Sequence, residues 1–176
     1  MKRVDANSKK RVMDVIEKVN SEEYVTTYDE GGVPQVKKKV HVKRGRSAKA
    51  RGARFELKVR ADLEAKGKVV DKWSNNVDLE EGRIVAAKKK FNPFSKAMMI
   101  SSGFPDFIAI TKVHNGSYDV IGVEVKINGI LSKIEKEKCR WYLENGTFSE
   151  IWIAKAIKEG RKIIIKYEDF IERHGK

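Results

Sequence analysis

Gly103-Phe104-Pro105-Asp106-Phe107-Ile108-Ala109-Ile110 and Tyr118-Asp119-Val120-Ile121-Gly122-Val123-Glu124-Val125-Lys126 read as two strands of a buried sheet. The first has an acid at its mouth. The second holds an acid and a base inside an apolar run. A lone buried carboxylate or ammonium is costly unless it is paired or bound to metal. Core packing gives no reason for Asp106, Glu124 or Lys126. Strand alternation sends Ile121, Val123, Val125 and Ile127 to one face and Gly122, Glu124 and Lys126 to the other. Glu124 and Lys126 then point the same way, about 6–7 Å apart along the strand. If the strand of Phe107 pairs beside this one, Asp106 lies near Glu124.

Two carboxylates held close repel each other, and one tends to stay protonated. A divalent cation removes the conflict, and oxygen ligands suit Mg²⁺, or Mn²⁺ in its place, rather than zinc. The Val125 carbonyl, between the two side chains, is a further candidate ligand. Such a metal would acidify a bound water and neutralise charge on a phosphoryl transition state. Lys126, partly desolvated and near a cation, is expected to have a depressed pKa. It could orient the attacking water, deprotonate it, or bind the scissile phosphate. The competing reading is an exposed i, i+2 pair on a half-solvated strand. Val120 on the same face and the apolar neighbouring strand argue against it.

Upstream, a helix is expected over roughly Ala48 to Lys66, stopped by Gly67. Phe55, Val59 and Leu63 mark its apolar stripe, and Glu56 falls at the stripe's margin. Glu56 could therefore reach the same site through a water or as the ligand of a second metal. The dense positive stretch from Lys43 to Arg54, broken by Gly45 and Gly52, leads into this helix. Lys43, Arg44, Arg46, Lys49, Arg51 and Arg54 are candidates for phosphate contacts.

Before that stretch, Val12, Val15, Ile16 and Val19 fit a helix over Ser8 to Asn20. Tyr24 to Tyr28 and Val36 to Val42 fit a hairpin around Asp29-Glu30-Gly31-Gly32. Lys68 to Trp73 and Arg83 to Ala87 fit strands, while Lys88 to Phe94 reads as loop. His114-Asn115-Gly116-Ser117 is a turn between the two quoted strands, the second running to Ile127. Ser132 and Glu135 have capping-box spacing for a helix to Glu144, which Gly146 can end. Glu150 to Ala156 and Lys162 to Tyr167 read as strands joined at Glu159-Gly160, with a short helix over Glu168 to His174. Two parts are expected: an extension over 1–45, made of helix and hairpin, and a core over 46–176.

The composition narrows the partners. A net charge of +13 calls for an anionic one, most simply nucleic acid. No apolar run is long enough to span a bilayer, so no membrane association is expected. The start, Met1-Lys2-Arg3-Val4-Asp5, lacks the apolar segment of a secretory signal, so an intracellular protein is expected. The single cysteine, Cys139, rules out an internal disulfide and a cysteine-cluster zinc site. His41, His114 and His174 have no ligand-like spacing. Abundant Lys and Glu beside few Gln is the pattern of a thermophile's chain.

Pro105-Asp106 followed by Glu124-Val125-Lys126 resembles the signature of the PD-(D/E)XK nuclease superfamily. The helix from Gly52 to Glu56 is similar to the first helix of archaeal Holliday junction resolvases, in which an acid joins the metal site. Ser101-Ser102-Gly103 resembles their serine- and glycine-containing stretch, which adds Ser102 to the DNA contacts. Asn128 to Ser132, and the helix with Trp141 and Leu143, resemble the virus-type replication-repair nucleases. The resemblance covers roughly 52–156. It implies an α/β, restriction-endonuclease-like mixed sheet flanked by helices. It also implies metal-dependent hydrolysis of DNA phosphodiesters, in recombination or repair. Asp106, Glu124 and Glu56 would then be metal ligands with Val125, and Lys126 the residue that assists water. A two-fold dimer with one site per subunit would suit the two cuts that a branched junction needs. The alternative is a basic DNA-binding protein with no cleavage, which explains the charge and leaves the buried acids unexplained.

Overall fold

The computed structural model describes residues 6–29, 33–92, 97–100, 103–114 and 116–175. They divide into two compact units, Met1–Arg51 and Gly52–Lys176. The division falls inside a helix, beyond the boundary expected at 45/46.

The first unit holds α1 (Ala6–Asn20), β1 (Tyr24–Tyr28), β2 (Pro34–Lys38) and the start of α2 (Lys39–Ala65). β1 and β2 are antiparallel, with Tyr28 opposite Pro34 and Tyr24 opposite Lys38. Asp29 closes the turn: its N–H donates to Val33 O, and its Oδ1 accepts the Val33 N–H at 2.9 Å. The second arm is shorter than the expected Val36 to Val42. β1 runs out at Tyr24, so Lys39 onward has no strand to pair with. Lys39 N–H instead donates to Glu23 O at 2.8 Å, and the chain turns into helix. Val40, expected on a strand, lies exposed on α2. The apolar stripe of α1 is also open, with Val15, Ile16 and Val19 about half exposed.

The second unit is a mixed five-stranded sheet flanked by helices. The strands are β3 (Val69–Lys72), β8 (Phe107–Lys112), β9 (Tyr118–Val125), β10 (Glu150–Glu159) and β11 (Lys162–Asp169), in the order β11-β10-β9-β8-β3. Only β9 and β10 are parallel. A parallel pair needs a crossover, and α3 (Lys133–Glu144) supplies it. Between β3 and β8 come two further antiparallel hairpins. One joins β4 (Asn75–Asp78) to β5 (Arg83–Ala86), the other β6 (Lys89–Asn92) to β7 (Ala97–Ile100). Lys89 to Asn92 is therefore strand where the sequence reads as loop. α4 (Phe170–His174) follows β11, with Asp169 as its N-cap.

Alternation along β9 builds two cores, one on each side of the sheet. On one side, Phe55, Val59 and Leu63 of α2 pack against Val70, Phe107, Ala109, Ile121 and Val123. On the other, Cys139 and Tyr142 of α3 and Phe170 of α4 pack against Phe148, Ile151 and Ile153. Trp73, Tyr142 and Phe148 meet edge to face there, with ring centroids 5.2–6.4 Å apart. The Trp73 indole N–H also donates to the Tyr142 hydroxyl at 3.3 Å. Glu124 lies on this second side, which makes it an acid in an aromatic and aliphatic layer. Among the described residues no helix is long and apolar enough to cross a membrane.

Candidate active site

Antiparallel register sets Phe107 opposite Val123. One step further along the pair, Asp106 comes to stand against Glu124, and directly opposed side chains share a face. The chain enters β8 through a tightly held lead. Gly103 N–H donates to Trp73 O at 3.1 Å and Phe104 N–H to Asn75 O at 2.9 Å. The Phe104–Pro105 peptide is cis. Trp73 N–H then donates to Asp106 O at 3.2 Å. Asp106 Oδ2 in turn accepts the Val125 N–H at 2.9 Å, which ties the acid to β9 beside Glu124.

Gly122 makes room for this lead. A Cβ there would come within 2.9 Å of Pro105 Cγ and 3.1 Å of the Phe148 ring. The glycine in the middle of β9 is thus a packing requirement of the Pro-Asp turn on the neighbouring strand.

Glu124 is 4% exposed, and among the described residues its Oε2 has no hydrogen-bond partner. Its Oε1 lies 3.0 Å from Lys126 Nζ. Burial, and then the charge of Asp106, push its carboxyl up to about 8 from an ordinary 4.5, against the pull of Lys126. Asp106 is pushed up to about 6, mainly by burial, with the charge of Glu56 adding to it and the Val125 N–H opposing it. Burial thus makes both acids resist ionising, and the charge of Asp106 adds to that resistance at Glu124.

Lys126 departs from expectation. Burial works to lower its pKa, but the Glu135 carboxylate at 2.7 Å and Glu124 together outweigh it and hold the ammonium above its ordinary value. The expected depression leaves out Glu135, which the sequence marks as a capping residue. The cap itself is as expected: Ser132 Oγ accepts from Glu135 N–H at 3.3 Å, and Glu135 Oε2 accepts from Ser132 N–H at 2.7 Å. The signal available was spacing. A capping box turns its glutamate back over the first turn, and this helix starts close behind Lys126. Ser132→Ala should cost about 1 kcal/mol and lower the melting temperature by about 2–4 °C. A thermal melt checks it; an unchanged Tm would show that the cap does not support the fold.

Glu56 is half-buried on α2 and lines a cavity of about 200 Å³ with Ala53, Leu57, Arg60, Lys72 and Phe107. Its charge reaches Asp106, as does that of Lys72. Neither Arg60 nor Lys72 stands out in the sequence as a site residue. Lys43, Arg44, Arg46, Lys49 and Arg51 lie exposed along the part of α2 in the first unit, and Arg54 lies exposed in the second. Within the first unit, Lys39, Lys43 and Arg46 line a cavity of about 380 Å³ floored by Val25 and Val42. Ser102 lies outside the described residues.

No family model, curated protein or solved structure matches the chain. Among the described residues no three His, Cys, Asp or Glu side chains form a ready ligand group for a metal. Two carboxylates do come together, Asp106 and Glu124, with a buried oxygen still unpartnered. That donor set is all oxygen and short of positive charge, which fits a hard divalent cation.

Proposed function

We propose that this chain is a metal-dependent DNA endonuclease of the PD-(D/E)XK kind, with a restriction-endonuclease-like core, that cuts branched DNA as a homodimer. One observation carries the reading: a nearly inaccessible Glu124, with one oxygen unpartnered, sits against Asp106 and shares its face of the sheet with Lys126. The mixed sheet flanked by helices is the setting that the resemblance implies. Asp106 and Glu124, with the Val125 carbonyl, would hold Mg²⁺ or Mn²⁺, and Glu56 would support the site through a water. A divalent ion there would supply Lewis acidity, offsetting phosphate charge and easing loss of a proton from water.

The chain's own residues do the rest. Lys126, held as an ammonium, is suited to a fixed positive charge beside the scissile phosphate rather than to proton abstraction. The Val125 N–H fixes Asp106 so that its carboxylate does not swing away from Glu124. The exposed basic residues of α2 would grip the DNA backbone, and the net charge of +13 favours that partner.

The test is a cleavage panel over four-way junctions, flaps, single strands and plain duplex, with Mg²⁺, Mn²⁺ or EDTA. Cutting of the junction with either metal and none in EDTA is expected. The rival is a basic DNA-binding protein without cleavage, which the net charge of +13 would equally suit. Binding with no cutting of any substrate would leave that rival standing. If Lys43, Arg44, Arg46, Lys49, Arg51 and Arg54 all meet phosphates, affinity should fall about 10³-fold between 50 and 200 mM salt. Fluorescence anisotropy measures this, and a flat response would remove the basic stretch from the interface.

A further inference from the structure

The Lys126 ammonium has two acids on it, from different elements. Glu124 Oε1, at 3.0 Å, comes from the strand on which Lys126 follows. Glu135 Oε1, at 2.7 Å, comes from α3. The two oxygens of Glu135 have separate tasks: Oε2 accepts the Ser132 N–H, and Oε1 takes the lysine. Glutamine serves a capping box as well as glutamate does, because the box needs only a side-chain acceptor. Capping therefore accounts for Oε2 and leaves the charge, and the contact at Oε1, without a reason.

A lysine head on its flexible stem swings freely when a single partner holds it. With Glu124 alone, any change in that acid's charge or partners would release it. A second acceptor, fixed by the start of a helix, keeps it in place. We propose that Glu135 is a positioning residue: α3, through its capping box, holds the Lys126 ammonium beside the Asp106–Glu124 pair. This deepens the nuclease reading, and its catalytic consequence rests on that reading; the anchoring itself does not.

Glu135→Gln preserves the cap and removes the anion, so it separates the two tasks. The full chain, ¹⁵N-labelled and free of DNA and added metal, is examined by NMR of the lysine ammonium groups. Wild type should show a slowly exchanging Lys126 signal, identified by its loss in Lys126→Arg. In Glu135→Gln that signal should exchange about tenfold faster or vanish, with Tm within about 1 °C of wild type. Ser132→Ala should lower Tm and keep the signal. On a cleaved junction, Glu135→Gln should lower kcat by about 10–100-fold and leave KM unchanged. The proposal is overturned if Lys126 exchanges equally slowly in Glu135→Gln. It is also overturned if that variant loses as much Tm as Ser132→Ala, or cleaves with an unaltered kcat. A wild type that cuts nothing would remove the nuclease reading, while the ammonium spectra would still decide the anchor.

Discussion

Glu124→Gln should abolish DNA cutting and at the same time stabilise the metal-free fold at alkaline pH. The loss follows from the proposed role: several kcal/mol of transition-state support disappear with the ligand, which is about 10³-fold or more in rate. The gain follows from burial. The folded-state pKa of Glu124, about 8, lies above its ordinary 4.5, so the native state binds that proton more tightly than the unfolded chain does. Stability contributed by the protonated form is full below about 4.5 and is lost as pH rises to about 8. A glutamine, which keeps part of the polar cost of burial and none of the charge, should recover about 1–3 kcal/mol. Melting curves in EDTA at pH 6 and pH 9 check this. The wild type should lose more between the two than the variant does. A variant that melts lower at both, with no pH-dependent gap, would mean that Glu124 is a structural ion-pair partner of Lys126.

Gly103→Ala should cost about 3 kcal/mol, which lowers Tm by about 6–12 °C. The φ of Gly103 is one that any residue can adopt, so the penalty is steric. An added Cβ would collide with the carbonyl oxygens of Trp73 and Asn75 and come within 2.8 Å of Asn75 N. These are backbone atoms, which cannot rotate away as a side chain does. Relief would require stretching the hydrogen bonds that Gly103 and Phe104 make to the same two carbonyls. Because Asp106 follows three residues along this lead, cleavage should fall further than stability alone explains. A Gly103→Ala variant with wild-type Tm would show that the two segments do not approach as closely as described.

How far the sequence reveals the site follows from how local each determinant is. Asp106, Glu124 and Lys126 are legible because charge at the mouth of one apolar strand and inside another fits core packing poorly, and because alternation fixes the face that Glu124 and Lys126 take. Their meeting depends only on a short antiparallel turn, His114 to Ser117, that the residues also announce. The second acid on Lys126 is less visible, since Glu135 already has a sufficient local reason in the cap. Gly122 is illegible from its own strand, because its reason, the Pro105 and Phe148 rings, lies in other segments. The β2–α2 boundary is misread for a similar reason. Val36, Val40 and Val42 alternate acceptably, but a strand also needs a partner, and β1 has ended. In Lys88 to Phe94, consecutive lysines hide a strand whose existence depends on the segment it pairs with. Asn75 and Asn76 have poor strand propensity and are held in β4 by pairing with Val85 and Ala86.

β11 lies at one end of the strand order, with one side of its ladder unpaired by another strand of the sheet. Its first half reads Lys162-Ile163-Ile164-Ile165-Lys166, and Ile163 is 54% exposed. Such a run is a template on which a like segment from another molecule can add, in the manner of an amyloid seed. The lysines that bracket it act as gatekeepers, since two copies brought edge to edge would also bring like charges together. Colloidal stability in concentrated solution thus depends on two ammonium groups of the edge strand, and neutralising them should promote fibrils before it alters the fold.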